Sequence, residues 1–284
     1  MLEKDAIVKR LIEILVEFVP SIKEQALAFS HDYVAQRALL RGLMNMHKVR
    51  NELPDEYFAM QDALLQEELK EKKLVSIEDL DCSLINKNIY LFQGDITCLK
   101  VDAIVNAANS SLLGCFQAGH NCIDNCIHSA AGLQLRYECD KIVSTMPGGA
   151  KTGSATITHG FNLLSKYVIH VVGPSVVFGV TVKDKDKQQL ASCYSQALQL
   201  ARENNINTIA FCCVSTGAFG FPYLQAAQIA VKTVNDDLKE HNNDLRVIFD
   251  VFEERDLNVY KDLLFPKEEK KDTELHPFFN INLI

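Results

Sequence analysis

The sequence predicts an α/β fold: a mixed sheet sandwiched between helices and preceded by an all-helical N-terminal extension. Three observations carry this. For the first 75 or so residues apolar side chains recur at helical spacing and no β-rich run appears. After Val75, short runs rich in β-branched and aromatic residues alternate with helical segments, as in a sheet covered on both faces. Two polar, amide- or glycine-bearing stretches follow such runs, where ligands bind on these sheets.

Taken in order, residues 3–19 place Ile7, Leu11, Ile14, Leu15 and Phe18 on one helical stripe, ended by Pro20. Ser21 with Glu24 suggests a capping box for the next helix. A further helix is expected over 33–46, and another over 55–72 with Pro54 at its start. The charge run at 67–73 reads as a solvated helix end. Strands are expected at 89–92, 103–105, 154–158, 167–172, 208–214 and 245–252, and helices at 123–143, 187–204 and 223–241. Residues 183–187 read as an exposed loop, and the polar tail from Lys267 as poorly ordered. The resulting division is 1–78 for the extension, 79–266 for the α/β unit and 267–284 for the tail.

A net charge of −8 argues against a duplex nucleic-acid binder. No apolar run is long enough to suggest a membrane span, and the first residues lack the pattern of a secretory signal. Nine cysteines without such a signal point to a reducing, cytoplasmic setting, where they remain thiols or bind metal. Cys82, Cys98, Cys139 and Cys193 read as small buried hydrophobes.

The chemistry concentrates between Gly94 and His128. A strand ends in Asn106 and Asn109, two carboxamides whose donors and acceptors make poor core material. Cys115, His120 and Cys122 follow at the spacing Cys-x4-His-x-Cys, then Asp124, Asn125, Cys126 and His128. Two thiolates and an imidazole suit Zn²⁺, and three protein ligands leave an open position; the alternative is two packed thiols and a surface histidine. Cys212 or Cys213 offers an extra ligand, but only one can face the site because strand side chains alternate. Asp124 suits a catalytic base or a helix cap; His128 reads as structural. The second stretch is Ser215, Thr216, Gly217, Ala218, Phe219, Gly220 and Phe221, before Pro222. It suits either a plain turn or an anion-binding loop of backbone amides, with Phe219 and Phe221 as an apolar wall. With no following Lys-Ser/Thr it is not a nucleotide-triphosphate loop.

These motifs together, GDIT at 94–97, VDAIVNAAN at 101–109, KYVIHVVGP at 166–174 and STGAFGFP at 215–222, resemble a macrodomain, the ADP-ribose-binding fold. The resemblance runs from about Ile89 to Phe252 and implies a macrodomain-type sheet. It implies that Asp95, with Gly94 and Ile96, receives the adenine, that Ser215 to Gly220 wrap the diphosphate, and that Asn109 faces the distal ribose. The loop GCFQAGHNCIDN (residues 114–125) and the helical extension resemble the zinc-containing macrodomains, which reverse mono-ADP-ribosylation of proteins. By that likeness Cys115, His120 and Cys122 hold one Zn²⁺ per chain, although Ala118 stands where the subfamily usually has proline. The activity implied is hydrolysis of the bond between the distal ribose and a protein side chain. Asn109 and Asp124 are the expected catalytic residues, and Asn106 is expected to bind substrate. The implied partners are ADP-ribose and a mono-ADP-ribosylated protein, with a monomer slightly favoured. The alternatives are a non-catalytic ADP-ribose reader and a deacetylase of O-acetyl-ADP-ribose.

Overall fold

The computed structural model describes residues 4–29, 32–177 and 180–266; the tail expected to be poorly ordered lies outside the described residues. The chain opens with α1 (Lys4–Val16), α2 (Lys23–Leu27), α3 (Tyr33–Met46) and α4 (Asp55–Glu71). The stripe on α1 buries Ile7, Leu11 and Leu15 against Leu40, Leu43 and Met44 of α3 and Tyr57 and Leu64 of α4. The expected box of Ser21 and Glu24 does not form. Ser21 lies inside a 3₁₀ turn, Pro20–Ile22, that runs straight into α2, so it never takes the extended backbone an N-cap needs. Asp32 caps α3 instead, its side chain accepting from the Ala35 amide at 2.9 Å.

Beyond Val75 lie β1 (Val75–Ser76), β2 (Ile89–Gln93), β3 (Leu99–Lys100), β4 (Ala103–Ala107), α5 (Ile123–Ala131), α6 (Leu133–Val143), β5 (Ala155–His159) and β6 (Tyr167–Val171). Then follow α7 (Asp184–Glu203), β7 (Thr208–Phe211), α8 (Tyr223–Glu240), β8 (Arg246–Val251) and α9 (Glu254–Leu264). Six strands form a sheet in the order β2-β8-β7-β4-β6-β5, parallel throughout except for β5, which runs antiparallel to β6. β1 and β3 make a separate parallel pair, two residues each and too short for periodicity to announce. The five parallel strands put Gly94, Asn106–Asn109, Ser215 and Phe252 at one edge of the sheet, because each follows or closes the carboxyl end of its strand.

Three segments depart from the sequence expectation. Residues 184–187 are the first turn of α7 rather than a loop, with Asp186 accepting from the Lys183 amide at 3.0 Å. The single helix expected over 123–143 is broken at Gly132, whose φ of 92° is left-handed. A Cβ there would stand 2.4 Å from Gln61 Nε2 of α4, and Gln61 Oε1 accepts from the Leu133 amide at 2.9 Å. The extension thus dictates the break. Helix α9 was not anticipated, although it buries Leu257, Tyr260 and Leu264 on one face.

Two apolar clusters result, one around the sheet and one inside the extension; Leu133 of α6 joins the second. Polar bonds tie them together. Arg136 of α6, 1% exposed, donates from Nη1 to the carbonyls of Met44, Asn45 and His47 at 2.7–3.0 Å, and from Nε to Leu113 O at 2.7 Å. It thereby neutralises the carbonyl end of α3, where a cation is favoured. No helix of the described residues is long and apolar enough to cross a membrane.

Candidate active site

Asn106 and Asn109 are placed by β4 and the turn after it; Asp124 sits in the first turn of α5. Asn106 is fully buried and donates from Nδ2 to Asp124 Oδ1 at 2.8 Å. The same nitrogen lies 3.1 Å from His170 Nδ1, which therefore accepts, while His170 Nε2 faces Thr158 Oγ1 at 3.0 Å. Asn109 donates to Gly114 O at 3.1 Å and, more loosely, to Asp124 Oδ2 at 3.4 Å; its own Oδ1 accepts from the Ser111 amide and hydroxyl. Burial pushes the Asp124 carboxyl up to about 6, against the pull of the Asn106 bond and the Arg136 charge. A buried carboxyl gripped by two carboxamides is held in one orientation. Asp124 does not cap α5: the Cys122 sulfur does, accepting from the Asn125 amide at 3.4 Å.

Cys115, His120 and Cys122 converge, with their ligand atoms all within 4.8 Å of one another and Cys115 Sγ 3.7 Å from His120 Nδ1. Zinc bond lengths of about 2.3 Å to sulfur and about 2.0 Å to nitrogen set tetrahedral S···N separations of about 3.5 Å, so the donor set fits Zn²⁺. Burial pushes the Cys122 thiol up to about 11; the Asn125 amide opposes this and Cys115 adds to it. Cys212 and Cys213 stay outside the group: Cys212 is buried in the sheet core, and Cys213 points its sulfur at Asp250 O, 3.8 Å away. A second trio, His128, Cys139 and His170, is wholly buried, and both ring nitrogens of its His170 already have partners. Of the cysteines read as buried, Cys139 and Cys193 are, Cys98 is half-buried and Cys82 is exposed.

The loop that carries Cys115, His120 and Cys122 is braced from beneath and from the extension. Asn125, fully buried, donates to Gln117 O at 3.0 Å. Asn45 of α3 accepts from the Gly119 amide at 3.0 Å, and Arg41 of α3 donates to His120 O at 2.9 Å and Asn125 Oδ1 at 3.0 Å. Phe116 lies over the Arg136 guanidinium, 4.5 Å from carbon to ring centre.

In the second loop Ser215 takes a left-handed φ of 67°. Phe221 N donates back to Ser215 O and Gly220 N to Gly217 O, while the amides of Gly217, Ala218 and Phe219 find no acceptor among the described residues. Successive free amides at a strand's end suit an anion. Phe221 is buried and Phe219 half-buried, so Phe219 is the ring left to form a wall.

A cavity of about 640 Å³ lies between α3, α4 and the sheet's carboxyl edge, bounded by Arg41, Lys72, Asp95, Ile123, Asp250 and Phe252 among others. Lys72 donates to Asp95 Oδ2 at 2.8 Å and to Thr97 Oγ1 at 2.6 Å, while Thr97 donates to Asp95 Oδ1 through its amide and hydroxyl. Partial burial pushes Asp95 up, but the bonds from Lys72 and Thr97 outweigh it and hold the carboxyl below its usual range. Asp250 is the opposite case: burial, reinforced by the Asp95 charge, drives it well above, and its Oδ1 has no partner among the described residues.

Residues 105–230 match the family model of the Macro domain. A protein-ADP-ribose hydrolase of Staphylococcus aureus is 48% identical over 226 residues, 79% of this chain and 83% of that one. One from Treponema medium is 43% identical over 256 residues, 89% of this chain and 96% of that one. The chain belongs to the macrodomain family. A Trypanosoma brucei macrodomain solved in complex with ADP-ribose superposes with a TM-score of 0.59 at 31% identity, over 75% of this chain and 91% of that one.

This macrodomain gathers Asn106, Asn109 and Asp124 into one bonded group beside the Cys115, His120 and Cys122 cluster. Asp95 and Gly94 line the cavity; Ile96, 1% exposed, is part of the core, Asn106 is buried against Asp124, and neither Asn109, Asp124 nor the loop from Ser215 to Phe221 bounds the cavity. The contributors that the sequence did not announce are Arg41, Asn45, Lys72, Arg136 and Asp250, all of which act at long range. The run at 67–73 is only partly a solvated end, since Glu68 pairs with Arg37 at 2.5 Å and Lys72 with Asp95.

Proposed function

We propose that this macrodomain is a hydrolase that removes mono-ADP-ribose from modified protein side chains, with one zinc ion held by Cys115, His120 and Cys122. The observation that carries the reading is the continuity of the network. Asn109 donates both to Gly114 O, next to the ligand Cys115, and to Asp124, whose helix is capped by the ligand Cys122. The names of the Staphylococcus and Treponema relatives support the activity.

Cleavage at the anomeric carbon of the distal ribose passes through an oxocarbenium-like state and needs an activated water and a stabilised leaving group. Zinc, when bound, supplies a Lewis acid that lowers the pKa of a bound water or polarises a ribose hydroxyl. Asp124 is placed to accept a proton from the attacking water or a ribose hydroxyl, with Asn106 fixing the direction of its carboxyl. The loose 3.4 Å bond from Asn109 to Asp124 leaves that amide hydrogen to be shared with the distal ribose. The amides of Gly217, Ala218 and Phe219 hold the diphosphate, and the Asp95 end of the cavity takes the adenine. A panel of Asp/Glu-, Ser- and Arg-linked mono-ADP-ribosylated proteins, assayed for released ADP-ribose, tests the reading. Release from at least one linkage is expected; binding of ADP-ribose without any release would make the protein a reader.

A further inference from the structure

We propose that His170 is a positioning residue for hydrolysis: its Nδ1 lone pair, fixed by Thr158, holds the Asn106 amide and so aims the Asp124 carboxylate; this rests on the hydrolase reading above. Strands β4, β6 and β5 are neighbours. Their register sets His170 beside Asn106 on one side and beside Thr156, two residues before Thr158, on the other. Paired residues point to the same face of a sheet, as do residues two apart on one strand. Asn106, His170 and Thr158 therefore stand in a row, all buried, on the face that meets Asp124 of α5 and Cys139 of α6.

Only one direction of hydrogen bonding serves the whole row. A carboxylate only accepts, so the Asn106 atom that faces Asp124 Oδ1 at 2.8 Å is the amino nitrogen. The second hydrogen of that nitrogen is directed at His170 Nδ1, 3.1 Å away, which must then carry a lone pair. Burial lowers the His170 pKa to about 3, so the ring is neutral and its one hydrogen sits on Nε2. Thr158 Oγ1, 3.0 Å from Nε2, accepts that hydrogen and turns its own toward Val168 O at 3.4 Å. Cys139 Sγ, 3.7 Å from Nε2, is a weaker acceptor, so the Thr158 hydroxyl decides the tautomer. With the hydrogen on Nδ1 instead, the ring would meet the Asn106 amino group donor to donor. The amide would turn over, and its Oδ1, which has no donor among the described residues, would face the Asp124 carboxylate. Asp124 would then lose the bond that fixes its direction.

Nitrogen NMR of the histidine rings, with kinetics on two pairs of variants, tests this. In the wild type the hydrogen of His170 should sit on Nε2. Thr158→Val keeps the shape of the side chain and removes the acceptor, whereas Thr158→Ser keeps the hydroxyl. Single-turnover release of ADP-ribose, from a linkage that the wild type cleaves, should slow by about ten- to a hundredfold in Thr158→Val, the scale of a slightly misaligned catalytic group, while calorimetry shows ADP-ribose affinity within about twofold of wild type. Thr158→Ser should keep most of the rate. His170→Asn, whose Oδ1 can replace the Nδ1 acceptor, should retain more activity than His170→Leu. A wild-type ring with its hydrogen on Nδ1, a Thr158→Val variant as fast as wild type, or equal losses within either pair would overturn the inference and make the row a matter of packing, with the hydrolase reading left standing. A wild type that releases ADP-ribose from no linkage would overturn the hydrolase reading itself, and this inference with it.

Discussion

Replacing Arg136 by methionine tests whether the extension and the sheet unit are held by one buried cation. Burial pulls the Arg136 pKa down to about 10 despite the opposing charge of Asp124. From 12.5, at about 1.4 kcal/mol per unit, that is a penalty of about 3.5 kcal/mol for keeping the charge inside. Against it stand contacts from a charged donor to Leu113, Met44, Asn45 and His47, the last three sharing the two hydrogens of Nη1. Three N–H donors at about 1.5–3 kcal/mol each give a low end of about 4.5 kcal/mol, which exceeds the burial penalty. Methionine relieves the penalty but strands the carbonyls of Leu113, Asn45 and His47, Met44 O keeping the His47 amide, and removes the partner of Phe116. The net loss should be about 3–5 kcal/mol, as when one side of a buried polar network is cut. At about 2 °C per kcal/mol for a chain of this size, thermal unfolding should fall by about 6–10 °C. Arg136→Lys keeps the charge but cannot span Leu113 and the end of α3 together, and should fall between. A methionine variant within about 1 kcal/mol of wild type would refute the reasoning, because it would mean the released carbonyls had found other partners.

Zinc measured by elemental analysis in protein purified without added metal should approach one per chain and be lost in Cys122→Ala; no metal in the wild type, or unchanged metal in the variant, removes zinc from the proposal. Asn109→Ala should slow hydrolysis by roughly ten- to a thousandfold while weakening ADP-ribose binding only a few-fold, since its amide acts at the reacting end. Single-turnover assays and calorimetry on the same preparation decide, and proportional losses would make Asn109 a binding residue. Acid should destabilise the fold through His47 and His170, whose pKa values burial lowers to about 4 and about 3, the Arg136 charge also acting on His47. Both are depressed below the unfolded value near 6.5, so the neutral rings contribute fully above that pH and their contribution is lost as pH falls toward the folded values. At pH 5 each should cost about 2 kcal/mol relative to pH 7. Because the raised carboxyls of Asp124 and Asp250 gain stability over the same range, the rings are followed directly by NMR titration; either ring titrating near its ordinary value would contradict this.

The parts of the site legible in the sequence were those whose residue types are costly anywhere else. Amides at a strand end, a Cys-His-Cys cluster and glycines after a buried strand announce themselves because a plain core would not contain them. The alternation of strands and helices was legible for the same reason that it is stable, since each run buries one face or both. What stayed hidden was ordinary by type and unusual by partner. Arg136 lies inside the helix expected over 123–143, and Lys72 within a run that reads as solvated; their partners stand 92 and 23 positions away. Gly132 falls inside the span expected as one helix, and the break comes from Gln61 of α4, which occupies the space a side chain would need. These omissions share one cause: the extension packs on the site rather than beside it. Arg41 and Asn45 brace the loop that carries Cys115, His120 and Cys122, Lys72 holds the Asp95 carboxylate, and Arg136 ties the end of α3 to Leu113 just ahead of that loop. The helical extension is therefore a wall of the cavity and a support of that loop, and shortening it should alter recognition as well as stability.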